Sequence, residues 1–225
     1  TFVGHPIIYS LNQEISLRDF RKTNLISSSD LVISILPGSR ISEVNKLGPV
    51  LVQTIKKISK KFDNINVIIP TVNNLRKDIS ILFEGIDFPI FIITDYEQKI
   101  SALKSSDIAI AASGSVSLEL AMLNVPHIIT YKVNPISAVL FKFLSLTKYV
   151  NIINYLYDKE IIPELLQSRC NQEDLYRASI DLLKNKDMQF KQTSVFRKLN
   201  EKLLDNNSNP SDIAATAILS ENQIK

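Results

Sequence analysis

Leu31-Val32-Ile33-Ser34-Ile35-Leu36-Pro37-Gly38-Ser39-Arg40 is a short apolar run stopped by Pro-Gly and followed by a hydroxyl and a guanidinium. An apolar run this short suits a strand buried on both faces of a parallel sheet. The period then changes. Ile41, Val44, Leu47, Leu51, Ile55, Ile58 and Phe62 recur every three or four residues, with Lys56, Lys57, Lys60 and Lys61 among them. That spacing predicts an amphipathic helix starting near Ser42 and ending in a solvated basic turn.

The alternation runs on from there. Strands are expected over 65–69, 90–93, 108–112 and 127–131, separated by helices over 74–83, 97–105 and 117–123. Strands alternating with helices of this length define an α/β domain with a Rossmann-like, doubly wound parallel sheet and right-handed crossovers. In such sheets ligands bind beyond the carboxyl ends of the strands, where both glycine turns fall. Past residue 132 the pattern turns helical, over 136–146, 171–184 and two further stretches. The last two are parted by Asp205-Asn206-Asn207-Ser208-Asn209-Pro210, a linker after which Ser211-Asp212 caps a final helix. The chain thus divides into a leading segment over 1–23, a main domain over 24–205 and a carboxyl-terminal helix over 206–225. Its opening, Thr1-Phe2-Val3-Gly4-His5-Pro6, lacks an initiator Met and reads as the continuation of sequence upstream.

Composition bounds the function. With 225 residues, 45% hydrophobic and 22% charged, the chain suits one well-packed core with appendages rather than disorder. A net charge of +3 is far from the concentrated basic excess of nucleic-acid binders, and speaks against nucleic acid as a partner. The single Cys170 excludes an internal disulfide and fits a reducing compartment, with the cytoplasm as default. No stretch approaches the ~20 apolar residues that span a bilayer. The apolar segment 136–146, flanked by Lys132 and Lys148, reads as a buried core helix or as a patch touching a membrane surface or an acyl chain.

Three clusters carry candidate chemistry. In the first turn Gly38 admits a ligand close to the backbone, the following helix points free N–H groups at it, and Arg40 adds a positive fork, a combination suited to a diphosphate. An ordinary strand-to-helix turn with an exposed Arg accounts for the same residues equally well. Ser113-Gly114-Ser115 repeats the arrangement in a later βα unit, and Glu119, one helical turn on, is placed to accept from ribose hydroxyls or simply to favour the positive end of its helix. The third cluster, Tyr149-Val150-Asn151-Ile152-Ile153-Asn154 with Pro163-Glu164-Leu165-Leu166-Gln167, offers amides and a carboxylate to a sugar or phosphate, though such residues are more often caps and turn formers. His5 and His127 are too isolated for a metal site, His127 reading as a satisfied core residue and Cys170 as an inert thiol. Neither the phosphate-loop lysine motif nor GxGxxG, GxSxG or HExxH occurs.

Taken in order, Phe2-Val3-Gly4-His5-Pro6, Leu36-Pro37-Gly38-Ser39-Arg40 with Glu43, Ala112-Ser113-Gly114-Ser115-Val116-Ser117-Leu118-Glu119, Val125-Pro126, Tyr131-Lys132 and the third cluster resemble the carboxyl-terminal half of lipid-A-disaccharide synthases. The resemblance implies a GT-B carboxyl-terminal domain and an inverting transfer that joins UDP-2,3-diacylglucosamine to 2,3-diacylglucosamine 1-phosphate and releases UDP. It implies that Gly38, Ser39, Arg40, Ser113, Gly114 and Ser115 hold the diphosphate, Glu119 the ribose, and Tyr96, beside Asp95, the uracil. Asn151, Asn154, Glu164 and Gln167 would meet the donor sugar or phosphate edge, with Arg40 and Asn154 as the catalytic groups. It further implies no cofactor and no metal, an amino-terminal domain that supplies the acceptor side and the base, and peripheral contact with the inner face of the inner membrane. A homodimer stays open. The family commonly has Pro before the Asn of the third cluster, where this chain has Ile153. A UDP-sugar epimerase of the same architecture, or a non-catalytic nucleotide-binding module, are the competing readings.

Overall fold

The computed structural model describes residues 19–132 and 148–204, and beyond them only 212, 215, 216, 218 and 219. His5, the apolar segment 136–146 and the polar linker from 205 therefore lie outside the described residues. A short α1 (Phe20–Thr23) precedes β1 (Leu31–Leu36), α2 (Ile41–Ser59) and β2 (Ile65–Pro70). A 3-10 turn (Asn73–Leu75) leads into α3 (Arg76–Leu82), β3 (Ile90–Ile93), α4 (Tyr96–Lys104), β4 (Ile108–Ala112), α5 (Val116–Met122) and β5 (His127–Tyr131). Then come α6 (Ile152–Leu156), β6 (Glu164–Leu166), a second 3-10 turn (Gln167–Arg169), α7 (Gln172–Lys184) and α8 (Lys186–Leu204).

The strands form one sheet in the order β3-β2-β1-β4-β5-β6, every neighbouring pair parallel. The register of β1 against β4 sets Leu36 opposite Ala111, so the turns after these two strands leave the sheet side by side. Both faces are covered, as the non-alternating apolar strands require. Ile33, Ile35, Val67, Ile69, Ile108 and Ile110 point to one face and pack with Val44, Leu47, Leu51, Ile55 and Ile58 of α2, Ile79 of α3, and Leu175 and Leu182 of α7. The other face carries two clusters. Val32 and Ile68 meet Phe20, Ile26 and Ala102, while Ala109, Ala111 and Ile129 meet Leu118 and Leu120 of α5 and Phe196 of α8. The alanines of β4 leave room for these helices to approach.

Several expectations shift. Phe20 is 4% exposed and stacks edge-on against Phe91 at 5.4 Å, so residues 19–23 are built into the domain rather than only leading to it. Ile41 stands 44% exposed at the sheet's carboxyl edge, so the buried stripe of α2 begins at Val44. Lys57 is not simply solvated, because it pairs with Glu173 of α7 and lies 4.6 Å over the Tyr176 ring. That pairing holds the Glu173 carboxyl below the usual carboxylate range. Residues 164–166, given no element from the sequence, form an edge strand paired to β5.

His127 is a satisfied core residue. Its Nδ1–H donates to the Val125 carbonyl at 2.9 Å, so its Nε2 accepts from the Ser117 hydroxyl at 2.8 Å, and Phe196 stacks on the ring at 5.3 Å. Complete burial lowers its pKa from 6.5 to about 4. Between those values the unfolded chain takes up a proton that the native ring refuses. Stability is thus fully present above about pH 6.5 and falls by about 3 kcal/mol as pH drops towards 4. Urea midpoints of the wild type and of His127→Gln, compared from pH 4 to 7, should diverge in slope over this window. Parallel curves would refute the assignment.

Candidate functional site

The order of the sheet reverses at β1 and β4, and a cleft of about 530 Å³ opens there beyond the strand ends. Leu36, Pro70 and Ala112 form its floor, and the two glycine turns face each other across it. Thr71, Val72 and Thr94, from the loops after β2 and β3, build the far wall with Tyr96 and Lys99 of α4, and Glu119 enters from α5. Eight of the sequence-chosen residues therefore converge on one cleft: Gly38, Ser39, Arg40, Tyr96, Ser113, Gly114, Ser115 and Glu119.

The first turn is shaped around a carboxylate of its own chain. Glu43 Oε2 accepts from the backbone N–H of Ser39 at 3.0 Å and of Arg40 at 3.3 Å, while Glu43 Oε1 takes one arm of the Arg40 guanidinium at 3.0 Å. Gly38 adopts φ +113°, and a Cβ there would lie 2.7 Å from Glu43 Cβ, so only glycine fits. Glu43 thus occupies the two backbone N–H groups that directly precede α2, whereas the N–H groups expected to meet a ligand belong to the first turn of the helix itself. The position of an acceptor three residues after Arg40 makes this half of a capping box for α2.

On the opposite wall Glu119 is 4% exposed and pairs with Lys99 Nζ at 2.6 Å, and that ammonium also lies 5.7 Å from the centre of the Tyr96 ring. A carboxylate this enclosed needs its cation. The Thr71 hydroxyl is enclosed in the same wall and has no hydrogen-bond partner among the described residues. Thr71 and Lys99 escaped the sequence reading. A position directly after a strand end was the available signal for Thr71; for Lys99 only the fold supplies one.

The third cluster lies outside the cleft lining. Asn151 caps α6 by accepting from the Ile153 and Asn154 N–H groups, and donates to the Ser117 hydroxyl at 2.6 Å. A proline at 153 could not make the first of these bonds, so the departure to Ile153 adds a donor to the cap. Asn154 is fully buried. Its Oδ1 accepts from the N–H groups of Ile161 and Ile162, and its Nδ2 donates to the Ile162 carbonyl and to Glu164. An amide has two donor hydrogens and two acceptor lone pairs, and all four are used. Glu164 in turn accepts from the backbone N–H groups of Val150 and Asn151. Among the described residues the polar groups of Asn151, Asn154 and Glu164 are committed to one another and to nearby backbone, none of the three lines the cleft, and the bond from Asn151 to Ser117 ties them to α5 beside it. Gln167, at φ +53°, starts the turn after edge strand β6 and likewise does not line the cleft. Among the described residues no group of three His, Cys, Asp or Glu is placed to hold a metal, and no helix is long and apolar enough to cross a membrane.

Fold and cleft together define a Rossmann-like domain of the GT-B type with a glycine turn on each side of the switch point. Two solved structures share the fold at low sequence identity. A UDP-GlcNAc 2-epimerase from Neisseria meningitidis bound to UDP-GlcNAc superposes with a TM-score of 0.60 at 15% identity, over 91% of this chain and 55% of that one. A glycosyltransferase involved in lipopolysaccharide biosynthesis does so with a TM-score of 0.60 at 14% identity, over 93% and 53%. The family model for lipid-A-disaccharide synthetase matches residues 1–218, and the chain belongs to that family. It is 32% identical to the lipid-A-disaccharide synthase of Rhodospirillum centenum over 97% of its length, and 34% identical to that of Hydrogenovibrio crunogenus over all of it. These alignments cover 55% and 59% of the two relatives, so the chain spans little more than half the length of the proteins it matches. The epimerase alternative rests on likeness of fold alone and is not favoured.

Proposed function

We propose that this chain is the donor-binding half of a lipid-A-disaccharide synthase, holding UDP-2,3-diacylglucosamine while the sugar is transferred to 2,3-diacylglucosamine 1-phosphate. The observation that carries this reading is the convergence of Arg40, two helix amino termini and Glu119 on one cleft, in a chain of this family. The diphosphate lies between the turns after β1 and β4, the ribose reaches Glu119, and the base lies against Tyr96, with the Thr71 hydroxyl as a further hydrogen-bonding group.

Bond breaking at the anomeric carbon builds negative charge on the departing UDP. Arg40 and the oriented N–H groups meet that charge more strongly than the ground state, which lowers the barrier without a metal. The cleft carboxylates Glu43 and Glu119 are each tied to a cation, and neither is the base that activates the acceptor hydroxyl. That base comes from the amino-terminal half of the family fold. Both substrates carry acyl chains, so the assembled protein works at the inner face of the inner membrane, with segment 136–146 and its flanking lysines as the contact. Asn151, Asn154 and Glu164 act as positioning residues that fix the loop behind α5.

Calorimetric titration of UDP into the chain tests the donor site, with saturable binding at submillimolar concentration expected. Mixing the chain with a separately expressed amino-terminal half from a relative should restore disaccharide formation. Absence of UDP binding at millimolar ligand would end the proposal.

A further inference from the structure

Glu43 stands between two pockets. One is the cleft; the other is a smaller pocket of about 110 Å³ lined by Ser42, Lys46, Tyr131 and Lys132, with Arg40 and Glu43 as the shared wall. The Glu43 carboxylate takes up two backbone N–H groups and one guanidinium arm of the first turn. The two backbone N–H groups carry one hydrogen each, so the carboxylate and an entering diphosphate compete for them, while the remaining donors of the exposed Arg40 guanidinium stay open to the ligand. On the far side, Lys46 follows Glu43 at a spacing of three residues on α2, where side chains of opposite charge meet. Lys132 follows the end of β5. Both lysines are exposed, and neither has an ion pair or hydrogen bond among the described residues.

We propose that Glu43 is an exchangeable counter-anion. In the ligand-free protein it holds the turn and Arg40 in place; when a diphosphate enters, the carboxylate swings into the smaller pocket and pairs with Lys46 and Lys132. Rotation about its side-chain bonds carries the carboxylate from one pocket to the other, because Glu43 lines both. The exchange keeps the turn preformed when empty and offsets the charge of the displaced carboxylate when full, so ligand and protein anion never face each other unpaired. It also sets binding below the strength the turn could reach, which favours release of a diphosphate product. The inference deepens the nucleoside-diphosphate reading of the cleft and rests on it.

The test titrates UDP, inorganic pyrophosphate and uridine into the 225-residue chain at fixed low salt. Variants are Glu43→Gln, Lys46→Ala and the double substitution, each checked for an unchanged melting curve. Glutamine keeps an acceptor for the Ser39 and Arg40 N–H groups but not the charge. Glu43→Gln should tighten UDP and pyrophosphate about threefold to tenfold, the range of one partly exposed charge contact, and leave uridine unaffected. Lys46→Ala should weaken both phosphate ligands about twofold to fivefold, and this effect should vanish in the Glu43→Gln background. Unchanged or weaker pyrophosphate binding by Glu43→Gln overturns the exchange, and identifies Glu43 as a fixed cap of α2. A Lys46→Ala effect of equal size in both backgrounds overturns it too, since that is the signature of a general field. If the wild type binds pyrophosphate but not UDP, the nucleoside reading fails while the exchange is judged on pyrophosphate. Binding of neither overturns both.

Discussion

Arg40→Ala is expected to weaken UDP binding by roughly 10- to 100-fold, the span of a charge-assisted hydrogen-bonded contact of about 1.5–3 kcal/mol. The melting temperature should move by no more than about 3 °C. The reason for the contrast lies in exposure. The Arg40 side chain is 76% exposed, and its ion pair with Glu43 is a surface contact worth at most about 1 kcal/mol. Its guanidinium therefore contributes little to folding, and much to any anion between the two turns. The substitution also frees Glu43, whose unpaired charge at the turn adds to the loss of affinity. Calorimetry with UDP and a thermal scan of the same sample decide the matter. Wild-type affinity in the variant would remove the first turn from the binding site.

Asn154→Ala should show the reverse balance. Removing the amide strands the buried N–H groups of Ile161 and Ile162 and the Ile162 carbonyl, and takes a donor from Glu164. Unsatisfied groups of this kind cost about 1–3 kcal/mol each, and local relaxation recovers part of that. A net loss of about 3–5 kcal/mol follows, which in a domain of this size lowers the melting temperature by about 10 °C. Asn154→Asp should be no milder, because it keeps the acceptor but sets a second carboxylate against Glu164. A positioning residue predicts that stability and transfer activity fall together. Loss of transfer with an unchanged melting temperature would instead place Asn154 in direct contact with the donor.

These two residues mark how far the sequence could be read. Arg40 and Asn154 look alike in one dimension, each a polar residue in a cluster that carries the family resemblance. Arg40 follows a strand end at a glycine turn, and a local rule carries it to the cleft. Asn154 has no such rule, because its four partners come from residues up to ten positions away and define its role only once the chain from 158 to 164 has folded back. The strands over 90–93, 108–112 and 127–131 are found where the apolar runs lie, since burial on both faces leaves an unbroken signature. Strand β6 escaped notice because it is three residues long and mixes Glu164 with two leucines. Glu119 was visible as an acid in a helix's first turn, whereas its pairing with Lys99 depends on α4 and α5 lying on the same face of the sheet.

The sequence by itself determined the α/β class, the places of the two turns and the family, because strand burial, helix period and glycine turns are local consequences of residue order. Glu43 fills the first turn from three and four residues along the chain, a local relation, whereas the tertiary structure alone decided that Glu119 is paired with Lys99 and that the third cluster is committed to its own loop. The Glu119 contact with Lys99 is fixed by packing between two helices rather than by spacing along the chain, and the bonds of Asn154 by the folding back of the loop that follows it.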